Sequence, residues 1–238
     1  MEFRRDPQLE RELYTRLREK YRTEKPLPHL TELLYCLTRS YFDRVDPLLP
    51  TDKELVYFAV GFGLEEVILR SKGAAAPEST QLDGIWLTPD YVRLTGGEMD
   101  LKSTRMYPGS DDGTPKMGWP DTWIEQFKSY AYRMALSAHG LVPATVPYSV
   151  GVVFIIPAQL VCGTFIFTRE ELEHQWEYNK MRRGVFMLHM EHRTIPQPFT
   201  WNKEWECRSC RYVLRCQEMA KQGGTASVTA DTRVRAGV

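Results

Sequence analysis

Between Pro7 and Tyr21 the apolar residues Leu9, Leu13, Leu17 and Tyr21 recur at near-helical spacing within a charged stretch. The spacing predicts an amphipathic helix over 7–22, opened by a proline in its first turn and ended by Pro26 and Pro28. A second helix is expected from Leu30 to Phe42. A third is expected from Thr51 to Arg70, where Thr51-Asp52-Lys53-Glu54 has the capping-box pattern. Ser71 to Ser79 is small and polar and reads as a loop. The pattern then shortens: Gln81–Leu87, Tyr91–Leu94 and Gly97–Thr104 are brief segments punctuated by glycine and proline, which predicts strands. Tyr107 to Asp121 holds three prolines and three glycines and reads as a long loop.

Asp121–His139 reads as a helix, Tyr148–Ile156 and Leu160–Phe167 as apolar strands, and Arg169–Arg193 as a helix with Gly184 as a candidate break. Residues 201–219 carry three cysteines, and from Gln222 onward the chain is small, polar and expected to be disordered. No internal repeat is visible. This alternation implies an α/β fold, a central mixed sheet flanked by helices, in a single domain over 1–220. Within it, 1–28 is a helical extension, 29–200 the core and 201–220 the cysteine segment.

Composition narrows the class. The 238 residues, 42% hydrophobic and 12% aromatic, suit an ordinary globular domain. No apolar run approaches the roughly 20 residues needed to span a bilayer, and the first residues are charged. A cytoplasmic chain with no membrane partner is therefore expected. A formal net charge of +0 argues against histone-like, tail-driven binding of nucleic acid. Lys180, Arg182, Arg183 and Arg193, and the net-basic stretch 203–235, read as solvated faces. Five cysteines in such a chain are metal ligands or core thiols rather than disulfides. Cys162, in an apolar strand, is expected to be a buried core thiol, and His29 to lie at the surface.

Candidate chemistry concentrates in the middle of the chain. Asp83 is read as a lone acid on an apolar strand, Leu82-Asp83-Gly84-Ile85. In Glu98-Met99-Asp100-Leu101-Lys102 the period of two puts Glu98, Asp100 and Lys102 on one face, with Met99 and Leu101 toward the core. Phosphodiester hydrolysis needs a hard divalent cation held by oxygens, with positions open to water and phosphate. Asp83 and Asp100 can supply carboxylates and Leu101 a carbonyl oxygen. Lys102 can orient the attacking water and stabilise charge on phosphorus. A bare Asp-x-Lys triplet is weak by itself.

Its surroundings are more specific. An acid before glycine in one strand, (D/E)xK in the next, then a helix with Gln126 and Tyr130 in Trp123-Ile124-Glu125-Gln126-Phe127-Lys128-Ser129-Tyr130 resembles the PD-(D/E)xK superfamily and its RecB-like nucleases. The resemblance implies that Gln126 and Tyr130, four apart on one helical face, line the active site. It also implies a further metal-site residue, commonly histidine, on a helix ahead of the sheet. The matching stretch is Gly61-Phe62-Gly63-Leu64-Glu65-Glu66, where Glu65, ahead of Glu66, stands in the histidine's place.

Cys207-x2-Cys210-x5-Cys216 is the most specific motif in the chain. It has neither the second CxxC nor the histidine pair of a zinc ribbon and needs a fourth ligand, for which Cys36 is the candidate. One early cysteine, the core, then C-x2-C-x5-C resembles the iron–sulfur RecB-like nucleases, which include the CRISPR-associated exonucleases. The resemblance spans about 29–216. It implies a [4Fe–4S] cluster on Cys36, Cys207, Cys210 and Cys216, and Mg²⁺ or Mn²⁺ at the acids. It further implies single-stranded or end-containing DNA as substrate and CRISPR integrase proteins as partners. The rival expectations are a phage or mobile-element recombination nuclease, a non-catalytic binding module of the same fold, and a zinc-stabilised structural protein. The chain has no Gly-x4-Gly-Lys-Ser/Thr motor motif.

Overall fold

The computed structural model describes residues 7–20, 28–69, 77–92, 97–109 and 115–223. The polar tail, beyond 223, lies outside them. Helix α1 spans Pro7–Lys20. The helix expected over Leu30–Phe42 is two helices, α2 (Leu30–Leu34) and α3 (Leu37–Val45). The break has a tertiary cause. Cys36 adopts φ −55°, ψ 118°, and its N–H donates to Glu206 Oε2 at 2.8 Å rather than to a helical carbonyl. Helix α4 (Asp52–Leu69) starts where the capping box puts it: the Thr51 N–H donates to Glu54 Oε2 (2.8 Å) and the Glu54 N–H to Thr51 Oγ1 (3.2 Å).

Asp83 does not lie on a strand. Strands β1 (Thr80–Leu82) and β2 (Ile85–Leu87) form an antiparallel hairpin, and Asp83 and Gly84 are its turn, with φ of 47° and 74°. Two positive φ values are what a two-residue type I′ turn demands, and Asp-Gly between apolar residues is its signature. Trp176 Nε1 donates to Asp83 Oδ2 at 2.8 Å and Arg183 Nε to the Gly84 carbonyl at 3.3 Å. A Cβ at Gly84 would meet only the movable end of the Arg183 side chain, at 2.5 Å, so it is the φ of 74° that favours glycine here.

The main sheet has the order β3 (Tyr91–Val92), β4 (Glu98–Thr104), β5 (Thr145–Phe154), β6 (Gln159–Thr168). β4 and β5 are parallel, with Asp100 beside Val150, and their crossover carries helix α5 (Asp121–His139); the other pairs are antiparallel. The fold is thus α/β with a mixed sheet flanked by helices, as expected. Helix α5 packs on β4 and β5, and Phe127, Tyr130 and Arg133 lie along its buried side.

That packing reverses one expectation. The covered face is the one bearing Glu98, Asp100 and Lys102, together with buried Tyr148, Val150, Val152 and Phe154. Met99 and Leu101 face the other way and lean over Gly151, where a Cβ would meet Leu101 Cδ1 at 3.0 Å and Met99 Cε at 3.4 Å. Cys162 belongs to that outer face and is exposed rather than a core thiol. His29 is buried rather than superficial, its ring within hydrogen-bonding distance of Thr31 Oγ1 and Thr88 Oγ1.

Helix α6 (Arg169–His192) continues through Gly184 and opens with its own capping box, Thr168 with Glu171. The chain divides into two compact units. One comprises Met1–Leu34 and Leu49–Arg183, the other Tyr35–Leu48 and Gly184–Val238. The second holds α3, a 3-10 turn at Glu206–Ser209 and helix α7 (Val213–Gly223). There Phe42 stacks on Tyr212 at 5.2 Å, and Asp43 accepts hydrogen bonds from Tyr212 and Arg211. Among the described residues no helix is long and apolar enough to cross a membrane.

Candidate metal site and cysteine quartet

Asp100 is fully buried on β4. Neither of its carboxylate oxygens receives a well-formed hydrogen bond among the described residues. Lys102 Nζ, two residues on and on the same face, stands 3.3 Å from Asp100 Oδ2 as an ion pair, 3.9 Å from Asp90 Oδ2 and over the Phe127 ring at 5.7 Å. Burial raises the Asp100 carboxyl to about 7, with Lys102 opposing the shift and Asp90 and Glu98 adding to it. An acid so placed holds its negative charge at a cost that a cation would relieve.

The acid beside this pair is Asp90, which the sequence reading passed over for Asp83. Asp90 Oδ2 accepts the Leu101 N–H at 2.8 Å. The β3–β4 register pairs Tyr91 with Met99, so its continuation sets Asp90 opposite Asp100 and Pro89 opposite Leu101. Pro89 has no N–H, so it cannot extend the ladder to Leu101. A residue's N–H and C=O point to the same side of a strand, so the Leu101 carbonyl is directed to the edge where Asp90 sits. The missed signal was the Pro89-Asp90 dipeptide itself, ten residues before Asp100. Asp83, on the hairpin turn and exposed, is not among the groups that shift Asp100; it acts on Tyr132 and Lys180 instead.

Gln126 and Tyr130 are brought to this face. The Tyr130 hydroxyl donates to the Thr88 carbonyl at 2.8 Å. Its phenol is raised well above the usual range by burial, then by Asp100 and Asp90, with the Gln126 side chain opposing the shift. Glu98 is engaged by Arg133 in a partly buried ion pair. Its carboxyl is still shifted upward, by burial first, with Arg133 pulling it down. Glu65 lies on α4, which packs on β4. It belongs to the half-buried stripe Glu54, Phe58, Gly61, Glu65, Ile68, at alternating steps of four and three, whereas Glu66 is exposed. Trp119 packs edge-on against Phe165 at 5.0 Å, and Tyr107 is exposed.

Cys36, Cys207, Cys210 and Cys216 all fall in the second unit. The buried Glu206 carboxylate ties two of their segments together, accepting from the Cys36 N–H at 2.8 Å and the Lys203 N–H at 3.2 Å. The thiols sense one another. Burial and then the neighbouring cysteines push Cys207 up to about 11 and Cys216 to about 12. Burial raises Cys36 and Cys210 as well. Among the described residues, however, no group of three or more His, Cys, Asp and Glu side chains is gathered as a metal ion requires, here or at Asp100. The four cysteines are neighbours, but among the described residues they do not form a closed ligand set.

No family model matches the chain, and no curated protein matches it. Among solved structures it is similar to the crystal structure of SSO0001, with a TM-score of 0.54 and 15% identity, covering 89% of this chain and 96% of that one. At that identity the likeness is one of fold.

Proposed function

We propose that the chain is a divalent-metal-dependent nuclease that hydrolyses DNA at single-stranded or frayed ends. The observation that carries this reading is the fully buried Asp100 carboxylate, paired with Lys102 at 3.3 Å and set beside Asp90, with no well-formed hydrogen bond to either oxygen among the described residues. Asp90, Asp100 and the Leu101 carbonyl are oxygen donors suited to a hard cation, with Glu65 as the further candidate. When bound, Mg²⁺ or Mn²⁺ supplies Lewis acidity toward the phosphate and lowers the pKa of water. Lys102 holds positive charge where the pentavalent phosphorane would carry negative charge, and the Phe127 ring beneath it shields that charge from water. Gln126 and Tyr130 order the wall of the site. In the second unit, Cys36, Cys207, Cys210 and Cys216 would hold a [4Fe–4S] cluster, whose contribution is cross-linking rather than catalysis. CRISPR adaptation, with integrase partners, is the setting that the sequence resemblance favours.

The preference for frayed or single strands rests on zero net charge, which gives little general grip on duplex phosphates, and on the exposed Tyr107 ring as a stacking surface. The test compares cleavage of labelled single-stranded, overhanging and blunt DNA in Mn²⁺, Mg²⁺ and chelator. Cutting is expected with either metal, none with chelator, and the slowest rate on blunt duplex. Cleavage that persists in chelator would remove the metal reading, and equal rates on all three substrates the strand preference.

A further inference from the structure

Thr88, just past the end of β2, is held from three directions. Its Oγ1 lies 2.7 Å from Ser79 Oγ and 3.2 Å from His29 Nε2, and its carbonyl accepts the Tyr130 hydroxyl at 2.8 Å. Each contact has a local origin. Thr80 pairs with Leu87 in the hairpin, so the next step of that register sets Ser79 opposite Thr88. His29 pairs with Trp86, and the Pro28 carbonyl accepts the Trp86 N–H at 2.9 Å. Thr88 is two residues beyond Trp86 and so on the same side of the chain. The His29 ring is itself buried, with its other nitrogen 3.0 Å from Thr31 Oγ1.

The residue held in this way is two positions before Asp90, and only the buried Pro89 stands between them. The proline ring locks its own φ and confines the residue before it to extended backbone. Peptide planes resist twisting. From the Thr88 carbonyl that Tyr130 holds to the Asp90 amide, Pro89 ψ is therefore the one soft dihedral. Fixing Thr88 limits where the Asp90 carboxylate can go. That carboxylate accepts the Leu101 N–H at 2.8 Å and stands 3.9 Å from Lys102 Nζ, and the β3–β4 register continues to set it opposite Asp100.

We infer that Thr88 is a positioning residue for Asp90: the grip of Ser79, His29 and Tyr130 on Thr88 delivers the Asp90 carboxylate to Asp100 before any cation arrives. The inference rests on the reading of Asp90 as a metal ligand. A hydroxyl has one proton and two lone pairs, so Thr88 Oγ1 can serve Ser79 and His29 together. Groups that support a ligand in this way orient it without touching the metal.

The test is calorimetric titration of Mn²⁺ into the wild-type chain, Thr88→Val, Thr88→Ser, His29→Leu and Asp90→Asn, with thermal melting of each in chelator. Thr88→Val keeps the shape of the side chain and removes the hydroxyl. Its Mn²⁺ affinity is expected to fall by about 10- to 100-fold, the usual consequence of losing a group that supports a ligand. Thr88→Ser keeps the hydroxyl and should bind as wild type does. His29→Leu removes one arm of the grip and should weaken binding in the same direction, so it decides the matter if Thr88→Val does not fold. Asp90→Asn should lose the binding event. Wild-type affinity in Thr88→Val and His29→Leu, with binding lost in Asp90→Asn, would overturn the inference and leave the metal site standing, even if both variants melt earlier. Equal weakening in Thr88→Val and Thr88→Ser would overturn it too, because the hydroxyl would then not be what holds Asp90. If wild type and Asp90→Asn titrate alike, both readings fall together.

Discussion

Asn in place of Asp90 or Asp100 is expected to lower Mn²⁺-dependent cleavage by about 1,000-fold, roughly 4 kcal/mol of transition-state stabilisation. The two substitutions remove charge without changing volume. Asp90 also holds the Leu101 N–H, a bond the Asn oxygen can keep, so the loss should lie in cation binding rather than in strand geometry. Lys102→Ala separates the roles: it should bind Mn²⁺ and still fail in chemistry by a comparable factor. Asp83→Asn should cut at close to the wild-type rate, because that carboxylate sits on the hairpin turn and bonds Trp176. Rates measured on labelled single-stranded DNA decide the matter. An inactive Asp83→Asn beside an active Asp90→Asn would return the metal to the hairpin.

Asp100 also gives the metal-free chain a pH signature. Its carboxyl titrates at about 7 when folded against 3.8 when exposed. Between those values the unfolded chain releases the proton and the folded chain keeps it, so raising the pH through this window destabilises the fold. Glu98, also shifted upward, acts with the same sign. Thermal melting in chelator should therefore fall from pH 5 to pH 8, and Asp100→Asn should flatten much of that fall. A wild-type melting point that rises over the same interval would show that Asp100 is not protonated in the folded chain.

Purified without oxygen, the protein is expected to be brown and to carry about four irons per chain. Cys216→Ser should bleach it and lower its stability by an amount comparable with a domain's whole margin. Joining residue 36 to residue 207 closes a loop over most of the chain, worth about 5 kcal/mol by the loop-entropy relation for disulfides. With no metal the four thiols should be slow to alkylate. A thiol raised to about 11, as Cys207 is, is ionised to only about one part in 1,000 at pH 8. The exposed Cys162 should react first. Zinc and no iron by elemental analysis would replace the cluster with a structural metal, and rapid alkylation of Cys207 and Cys216 would show that they do not share a buried neighbourhood.

What was legible in the sequence follows from how local each signal is. The capping box at Thr51 and the limits Asp121–His139 of α5 depend on neighbours three or four residues away, and they stand as read. The period of two that puts Glu98, Asp100 and Lys102 on one face is a property of the strand alone. The C-x2-C-x5-C spacing is equally local. Which acid joins Asp100 is not. Asp83-Gly84 and Pro89-Asp90 are both short acidic signals ahead of the strand, and only the antiparallel register of β3 on β4 sets Asp90 opposite Asp100. Asp83 sits on the turn instead of a strand, since the hairpin claims the Asp-Gly pair.

Which face of β4 is buried was likewise undetermined by alternation, because it depends on where α5 returns after the crossover. That helix lies over the acids, not over Met99 and Leu101, and so removes Asp100 from water. The helix break at Cys36 has no local signal, because the acceptor of its N–H is a carboxylate 170 residues away. Residue spacing is a short-range property of the chain and survives any packing. Burial, register and the partner of a buried charge come from residues far apart in sequence, and those only the tertiary structure could decide.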